Sequence, residues 1–354
     1  MRHRRSPAWL VRLFAGLGAV GSLTTPAHAC EREAAIPSCI DWNQMWVPSD
    51  MGPWFSLSSA QPVGRGHIRS HAILDTANRP LVVVAPSPDP DGRELPIVSS
   101  AKTLWLGYSV GLSRDWDLGL QSAFIVHQEG AGATALNTSA ASNSSAPGKL
   151  SSYAVKSPRL TLGYNVLNQL GKRGDNKLAL KLRVALVPPL GGDRSYVSEP
   201  SVVVAPSLTI EHTLSRLTTA AEITVRIRDS IRVLNTELST QLVAGAGLSI
   251  HLWRGLHTAA ESFVIPSFGA ITRSYREAVI TSSHPVLEGL MSVRYDLASP
   301  RGLTLRLGGG AGLPFARERS VDSFGRTREY QGNAWGSPRW RGMLGASFRS
   351  NLFD

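Results

Sequence analysis

The run Lys177-Leu178-Ala179-Leu180-Lys181-Leu182-Arg183-Val184-Ala185-Leu186-Val187 decides the fold. Successive side chains of an extended chain point to opposite faces, so a period of two marks a strand with two different sides. Here Leu178, Leu180, Leu182, Val184 and Leu186 share one side, and Lys177, Lys181 and Arg183 share the other. The run covers eleven residues. That matches the roughly 9–11 that a tilted strand needs to cross a bilayer, whereas strands of globular sheets average nearer 5–6.

The same pattern recurs along the chain. Ile223, Val225 and Ile227 oppose Glu222, Thr224, Arg226 and Arg228, and Leu303, Leu305 and Leu307 oppose Thr304 and Arg306. About twelve such runs are legible, at 65–75, 101–112, 115–126, 157–168, 177–187, 202–213, 216–228, 236–251, 255–264, 286–296, 302–313 and 339–348. Short turns join them at Ser113-Arg114, 170–176, Leu214-Ser215, Trp253-Arg254 and Ser299-Pro300-Arg301. The intervening connections 76–100, 127–156, 188–201, 265–285 and 314–338 are long, and only the seventh-to-eighth is short on that side. Short turns at one end and long loops at the other characterise outer-membrane barrels with both termini in the periplasm. A sandwich has no reason to alternate in this way.

The expected fold class is therefore all-β: a transmembrane antiparallel barrel of about twelve strands over 64–348, with a short periplasmic segment before it and a tail at 349–354. Closure pairs every backbone group within the wall and leaves no edge. Trp116, Tyr295 and Phe348 fall on apolar faces near the periplasmic ends of their runs, where an aromatic girdle belongs. The last run alternates Trp340, Gly342, Leu344, Ala346 and Phe348 with Arg341, Met343 and Ser347, a pattern of the kind read by barrel-insertion machinery.

Residues 1–29 have the layout of an export signal. Arg2, Arg4, Arg5 and Arg12 precede any acid, Leu13 to Leu23 are largely apolar, and Ala27-His28-Ala29 is a cleavage site. Cys30 and Cys39 are the only cysteines. In an exported segment they are expected to close a small disulfide loop, although Cys30 as first mature residue also raises acylation. No apolar stretch after residue 25 reaches the length of a membrane helix. Without the four signal arginines, the 37 basic residues fall to 33 against 26 acidic ones. That excess is scattered and follows no nucleic-acid-binding pattern, so nucleic acid is not an expected partner.

Several segments carry a resemblance. Gly64-Arg65-Gly66, Asn78-Arg79-Pro80-Leu81-Val82-Val83, Leu106-Gly107-Tyr108 with Asp117-Leu118-Gly119-Leu120, Pro285 to Leu290 with Val293-Arg294-Tyr295, and Pro338-Arg339-Trp340-Arg341 with Leu344-Gly345 follow one another in order. Together they resemble the barrels of outer-membrane proteins labelled transporters or OmpA-family proteins, and are similar to the phenol-degradation-pathway outer-membrane family. Relatives often add a C-terminal peptidoglycan-binding domain, for which 64–348 contains no counterpart. The resemblance implies location and fold more than a substrate.

The inward faces supply the candidate site. Asp117, Glu211, Glu222, Glu237, Glu261 and Glu288 are expected to share the lumen with Arg159, Lys181, Arg183, Arg226, Arg294, Arg306 and Arg341. Such a set makes either a polar channel that selects by charge or a lumen filled by ion pairs. His251, His257 and Glu261 fall on adjacent runs near a periplasmic turn as a candidate hydrolytic cluster, but no H-E-x-x-H or C-x-x-C motif accompanies them, and ordinary hydrogen-bonded histidines are the expected reading. No cofactor or metal is expected. Gly245-Ala246-Gly247 and Gly308-Gly309-Gly310 lie within strands, where close packing or curvature explains them better than phosphate binding. The 130–152 loop is rich in Ala, Ser, Asn and Gly, and the 314–338 loop mixes Arg317, Arg319, Arg326 and Arg328 with Phe315, Phe324, Tyr330 and Trp335. The latter suits either lipopolysaccharide or plain solvent. Residues 40–63 carry Trp42, Trp46 and Trp54 and suit a plug of the periplasmic mouth or a contact with another envelope protein. The leading functional expectation is a passive outer-membrane channel for a small solute, with a non-conducting accessory barrel as the alternative.

Overall fold

The computed structural model describes residues 40–85, 93–132, 150–168, 176–191, 195–233, 236–266, 273–275, 278–283, 285–297, 302–313, 316–321, 327–332 and 337–351. The export signal, Cys30, Cys39 and residues 352–354 lie outside that set.

Twelve strands form the wall: β1 (His67–Ala85), β2 (Arg93–Gly111), β3 (Trp116–Glu129), β4 (Arg159–Asn168), β5 (Asn176–Val187), β6 (Val203–Leu214), β7 (Leu217–Arg226), β8 (Gln241–Trp253), β9 (Leu256–Ile265), β10 (Val286–Asp296), β11 (Thr304–Gly312) and β12 (Trp340–Asn351). Each pairs antiparallel with its neighbours in sequence, and β1 pairs with β12 from His67↔Asn351 to Asn78↔Trp340. The sheet is closed. Ala154–Val155 adds only a two-residue strand against β3.

The period of two becomes the two surfaces of this wall. On β4 and β5, Leu160, Leu162, Tyr164, Val166, Leu182, Val184 and Leu186 face outward, each at least 39% exposed. Between them Lys181 and Arg183 are buried inside. An outer surface of this kind is costly in water and needs no desolvation in lipid. Trp116 and Tyr295 face outward near the short-turn end, and Trp116 packs against Tyr164 with ring centroids 4.8 Å apart. Phe348 is only partly exposed and borders a cavity at that end.

Three boundaries differ from those expected. β1 continues to Ala85 and β2 begins at Arg93, so both enter the expected loop 76–100, with register shifts at Asn78/Leu81 and Leu81/Val82 and Arg79 at φ +46°. Pro80 interrupts the alternation there, but the β-branched run Val82-Val83-Val84 resumes it after a bulge. β12 continues to Asn351, so much of the expected tail belongs to the wall. The run 236–251 divides: Thr236–Leu238 pairs with Ile231–Val233 in a separate ribbon, and the wall strand starts at Gln241. Ser239-Thr240 breaks the alternation between the two pieces.

The expected loops 265–285 and 314–338 also contain structure. Arg273–Tyr275, Ala278–Ser283, Ala316–Val321 and Thr327–Gly332 form a four-stranded sheet at the long-loop end. Arg317, Arg319, Arg328 and Tyr330 lie on its backbone, whereas Phe315, Phe324, Arg326 and Trp335 are outside the described residues. Most of the 130–152 loop is also outside them.

The largest finding is what fills the barrel. Residues 40–63 thread the lumen and are almost entirely buried, with Trp42, Val47, Trp54, Ala60 and Val63 at 0% exposure. At the long-loop end Ile40 and Trp42 pack among Leu81, Ile97, Val98, Ile125, Tyr196 and Ile231. Midway, Met45, Val47, Met51 and Phe55 pack against Ile73, Trp105, Phe263 and Met343. At the short-turn end Arg69 donates to the Pro62 carbonyl at 2.9 Å, and Gly66 donates to the Gly111 carbonyl at 2.9 Å. A Cβ on Gly111 would stand 1.7 Å from the Gly64 carbonyl oxygen. Only glycine lets the threaded segment cross the rim there before entering β1.

Candidate functional site

The site is the interface between the threaded segment and the inner wall. Its charged groups follow from inward register positions on successive strands. Lys181 on β5 reaches Asp50 of the segment at 3.0 Å and Asp117 on β3 at 2.6 Å. Arg183 pairs with the same Asp50 and donates to the Ser59 carbonyl at 2.8 Å. All four charges are buried. Removing so many charges from water is tolerable only because they compensate one another.

Wall carboxylates hold the segment by its backbone. The Glu261 oxygens accept the Phe55 N–H and the Ser56 N–H, each at 2.7 Å, and the Ser56 hydroxyl at 2.6 Å. Glu222 accepts the Ser58 N–H at 2.8 Å. Glu211 accepts the Ala60 N–H at 3.2 Å and the Gln61 amide at 3.0 Å. These are charge-assisted bonds, about twice as strong as neutral ones. They give the segment's irregular backbone the partners that a helix or sheet would otherwise supply.

Wall cations hold it by carbonyls and by a ring. Arg306 donates to the Trp54 carbonyl at 3.3 Å, Arg226 to the Gln44 carbonyl at 3.0 Å, and Arg159 to the Val47 carbonyl. Trp46 lies beside both guanidiniums, 4.6 Å from Arg159 and 4.0 Å from Arg226, in cation–π geometry. Nearer the long-loop end, Asp41 pairs with Lys156 at 2.7 Å. Arg341 joins Asp75 at 2.5 Å, Glu288 at 3.3 Å and the Asn43 side chain at 3.2 Å.

The inward glycines complete the fit. A Cβ on Gly245 would stand 2.4 Å from Leu57, one on Gly247 2.7 Å from Trp54, and one on Gly308 2.6 Å from Phe55. The expectation of close packing at these glycines thus acquires a specific partner. They are recesses for the segment's large side chains.

Of the expected lumen residues, Asp117, Arg159, Lys181, Arg183, Glu211, Glu222, Arg226, Glu261, Glu288, Arg306 and Arg341 all lie within this interface. Arg294 lies lower, paired with Asp296 at 3.1 Å. Glu237 does not belong: it sits on the separate ribbon opposite Arg232. The threaded segment's Asp41 and Asp50, with Lys156, Asp75 and Arg69 on the wall side, were missed by sequence reasoning. The signal for the first two was two acids within a tryptophan-rich leader. The placement of 40–63 is likewise a correction, since the described residues run the length of the barrel rather than sitting at its periplasmic mouth.

His251 and His257 are engaged separately from Glu261. His251 and His257 stack on each other at 4.5 Å, and His257 faces Asp296 at 3.2 Å. Glu261 is committed to the threaded segment, and no metal-binding cluster occurs among the described residues. Three small spaces of about 30 to 40 Å³ adjoin Trp46. A larger cavity of about 360 Å³ lies at the short-turn end.

No family model matches the chain, and no curated protein does. Among solved structures, the COG4313 outer membrane channel from Pseudomonas putida F1 aligns with a TM-score of 0.53 at 11% identity, covering 83% of this chain and 99% of that one. The fold is that of an outer-membrane barrel. Weaker likenesses reach the NanC porin (TM-score 0.41, 9% identity, 79% of this chain and 98% of that one) and the P. putida toluene transporter TodX (0.40, 13%, 81% and 90%).

Proposed function

We propose that this protein resides in the bacterial outer membrane as a passive channel for a small solute, closed in this conformation by residues 40–63. The observation that carries the reading is the division of labour inside the barrel. The inward wall is charged and polar, yet its groups are satisfied chiefly by one separate segment that joins the wall at a single end. A barrel that needed only a permanent core would do as well or better with apolar side chains. Ion pairs and hydrogen bonds, by contrast, can be exchanged for water when the segment withdraws, with little net change per bond. Twelve strands enclose more than the side-chain-filled interior of eight, so withdrawal would leave a polar passage. The architecture shared with the P. putida channel supports the same reading.

On this reading the outer apolar belt contacts lipid and lipopolysaccharide, and barrel-insertion machinery assembles the wall. Kinship with the OmpA-type and phenol-degradation-pathway barrels belongs to the same proposal, as does a transport rather than an enzymatic role. The alternative, a non-conducting accessory barrel, draws on the completeness with which the lumen is filled. Single-channel recording of the folded protein in a planar bilayer separates the two. The channel reading expects a mostly closed trace with discrete openings to one level. A trace silent at every voltage supports the accessory barrel.

A further inference from the structure

We propose that the 360 Å³ cavity at the short-turn end is a binding site for a small organic anion, a carboxylate carried on an apolar body. The cavity lies between the threaded segment and the wall formed by β10, β11, β12 and β1, with Glu211 of β6 also lining it. Four arginines line it: Arg69, Arg294, Arg306 and Arg349. They do not arise from an even scatter of charge. Arg294 stands directly opposite Arg306 across β10 and β11, and Arg69 directly opposite Arg349 across β1 and β12. Like charges in directly opposed positions destabilise a sheet. Two such pairs around one cavity are a cost that an anion between them would relieve.

Two carboxylates, Glu211 and Asp296, line the cavity against these four arginines, and both already have partners. Glu211 already receives the Ser59 hydroxyl, the Ala60 N–H and the Gln61 amide. Asp296 is shared among Arg294, His257 and Thr304. Among the described residues, three buried nitrogens on the lining have no hydrogen-bond partner: the Nε donors of Arg294 and Arg306, and Nε2 of His71. Arg306 and His71 are each only 5% exposed. Buried polar atoms of this kind normally have partners, and each missing one is unfavourable.

Size and lining select the ligand class. At roughly 30 Å³ per water, the space is larger than an isolated inorganic ion requires. Met51, Pro53, Leu303 and Phe348 supply apolar surface beside the arginines. A carboxylate fits the planar guanidinium fork, and its apolar body would cover these side chains. The site stands whether or not the barrel conducts, so its failure and the failure of the channel reading are distinguishable.

Isothermal titration calorimetry on the detergent-folded full chain tests it, with hexanoate, hexanol and inorganic phosphate as probes. Hexanoate is expected to saturate one site, with the other two binding at least about tenfold more weakly. The Arg294→Gln/Arg349→Gln variant, which leaves the segment-holding Arg69 and Arg306 intact, should weaken hexanoate by about tenfold or more. Absence of saturable binding, equal binding of hexanol or phosphate, or unchanged affinity in the double variant overturns the proposal. If that variant fails to fold, Arg349→Gln at the exposed rim is measured alone. A loss of about threefold is then expected, and unchanged affinity overturns the site.

Discussion

Asp50, midway along the threaded segment, and Lys181, on the inner face of β5, form an ion pair at 3.0 Å with both side chains almost wholly buried. Lys181 keeps a second partner in Asp117, whereas among the described residues Arg183 pairs only with the Asp50 carboxylate. Asp50→Asn therefore strands a buried guanidinium in the seated state and relieves it when water enters. Breaking a buried pair in this way costs about 3 kcal/mol. Hydrogen exchange of the 40–63 amides should accelerate by about a hundredfold, while amides of the wall strands remain protected.

Glu261 makes a separate clamp further along the segment, at Phe55 and Ser56, with three donors converging on one carboxylate. Glu261→Ala leaves the Phe55 and Ser56 N–H groups without an acceptor, each at about 1–3 kcal/mol. Glu261→Gln keeps one acceptor oxygen and should lose less. Urea titrations monitored by protease cleavage within 40–63 should rank wild type above Gln and Gln above Ala. Equal midpoints would show that the clamp adds nothing to seating.

Gly247 tests the recesses rather than the charges. Its Cβ would fall 2.7 Å from the Trp54 ring and 2.9 Å from Leu57. Valine suits a strand, so Gly247→Val should leave the wall and its heat-modifiable gel mobility intact while unseating Trp54. Limited proteolysis should then cut the segment in the folded barrel. A resistant segment would mean that the lumen relaxes around the added methyl groups.

The direction of threading carries its own prediction. Ile40 packs at the long-loop end and Val63 leads to the short-turn rim. An epitope placed upstream of Ile40 should therefore be labelled by antibody on intact cells. Labelling only after the outer membrane is permeabilised would reverse the threading.

Much of the wall was legible because its two surfaces impose a strict period of two over nine or more residues, as on β5. The local breaks were harder. At Arg79-Pro80 a bulge restores register after an interruption that looks like a loop, and at Ser239-Thr240 the opposite happens. Strand-length patterning does not register either event, because both depend on which neighbour the backbone meets. Within the site, inward charges such as Glu261 and Arg306 could be assigned to a face. Their partners could not, because residues 40–63 have no periodicity and their geometry is set by the cavity they fill. The clue was indirect: tryptophans in the leader and glycines on the inner face are complementary in volume, as Trp54 and Gly247 are.

On the proposed reading, residues 40–63 must leave their seat for the barrel to conduct. Ser49 and Thr161 place their hydroxyl oxygens 2.8 Å apart across the segment–wall interface. A Ser49→Cys/Thr161→Cys variant, with Cys30 and Cys39 changed to serine, can lock the segment by a disulfide. Single-channel conductance of this variant should be silent when oxidised and show discrete openings after reduction. The same steady conductance in both states would contradict the account.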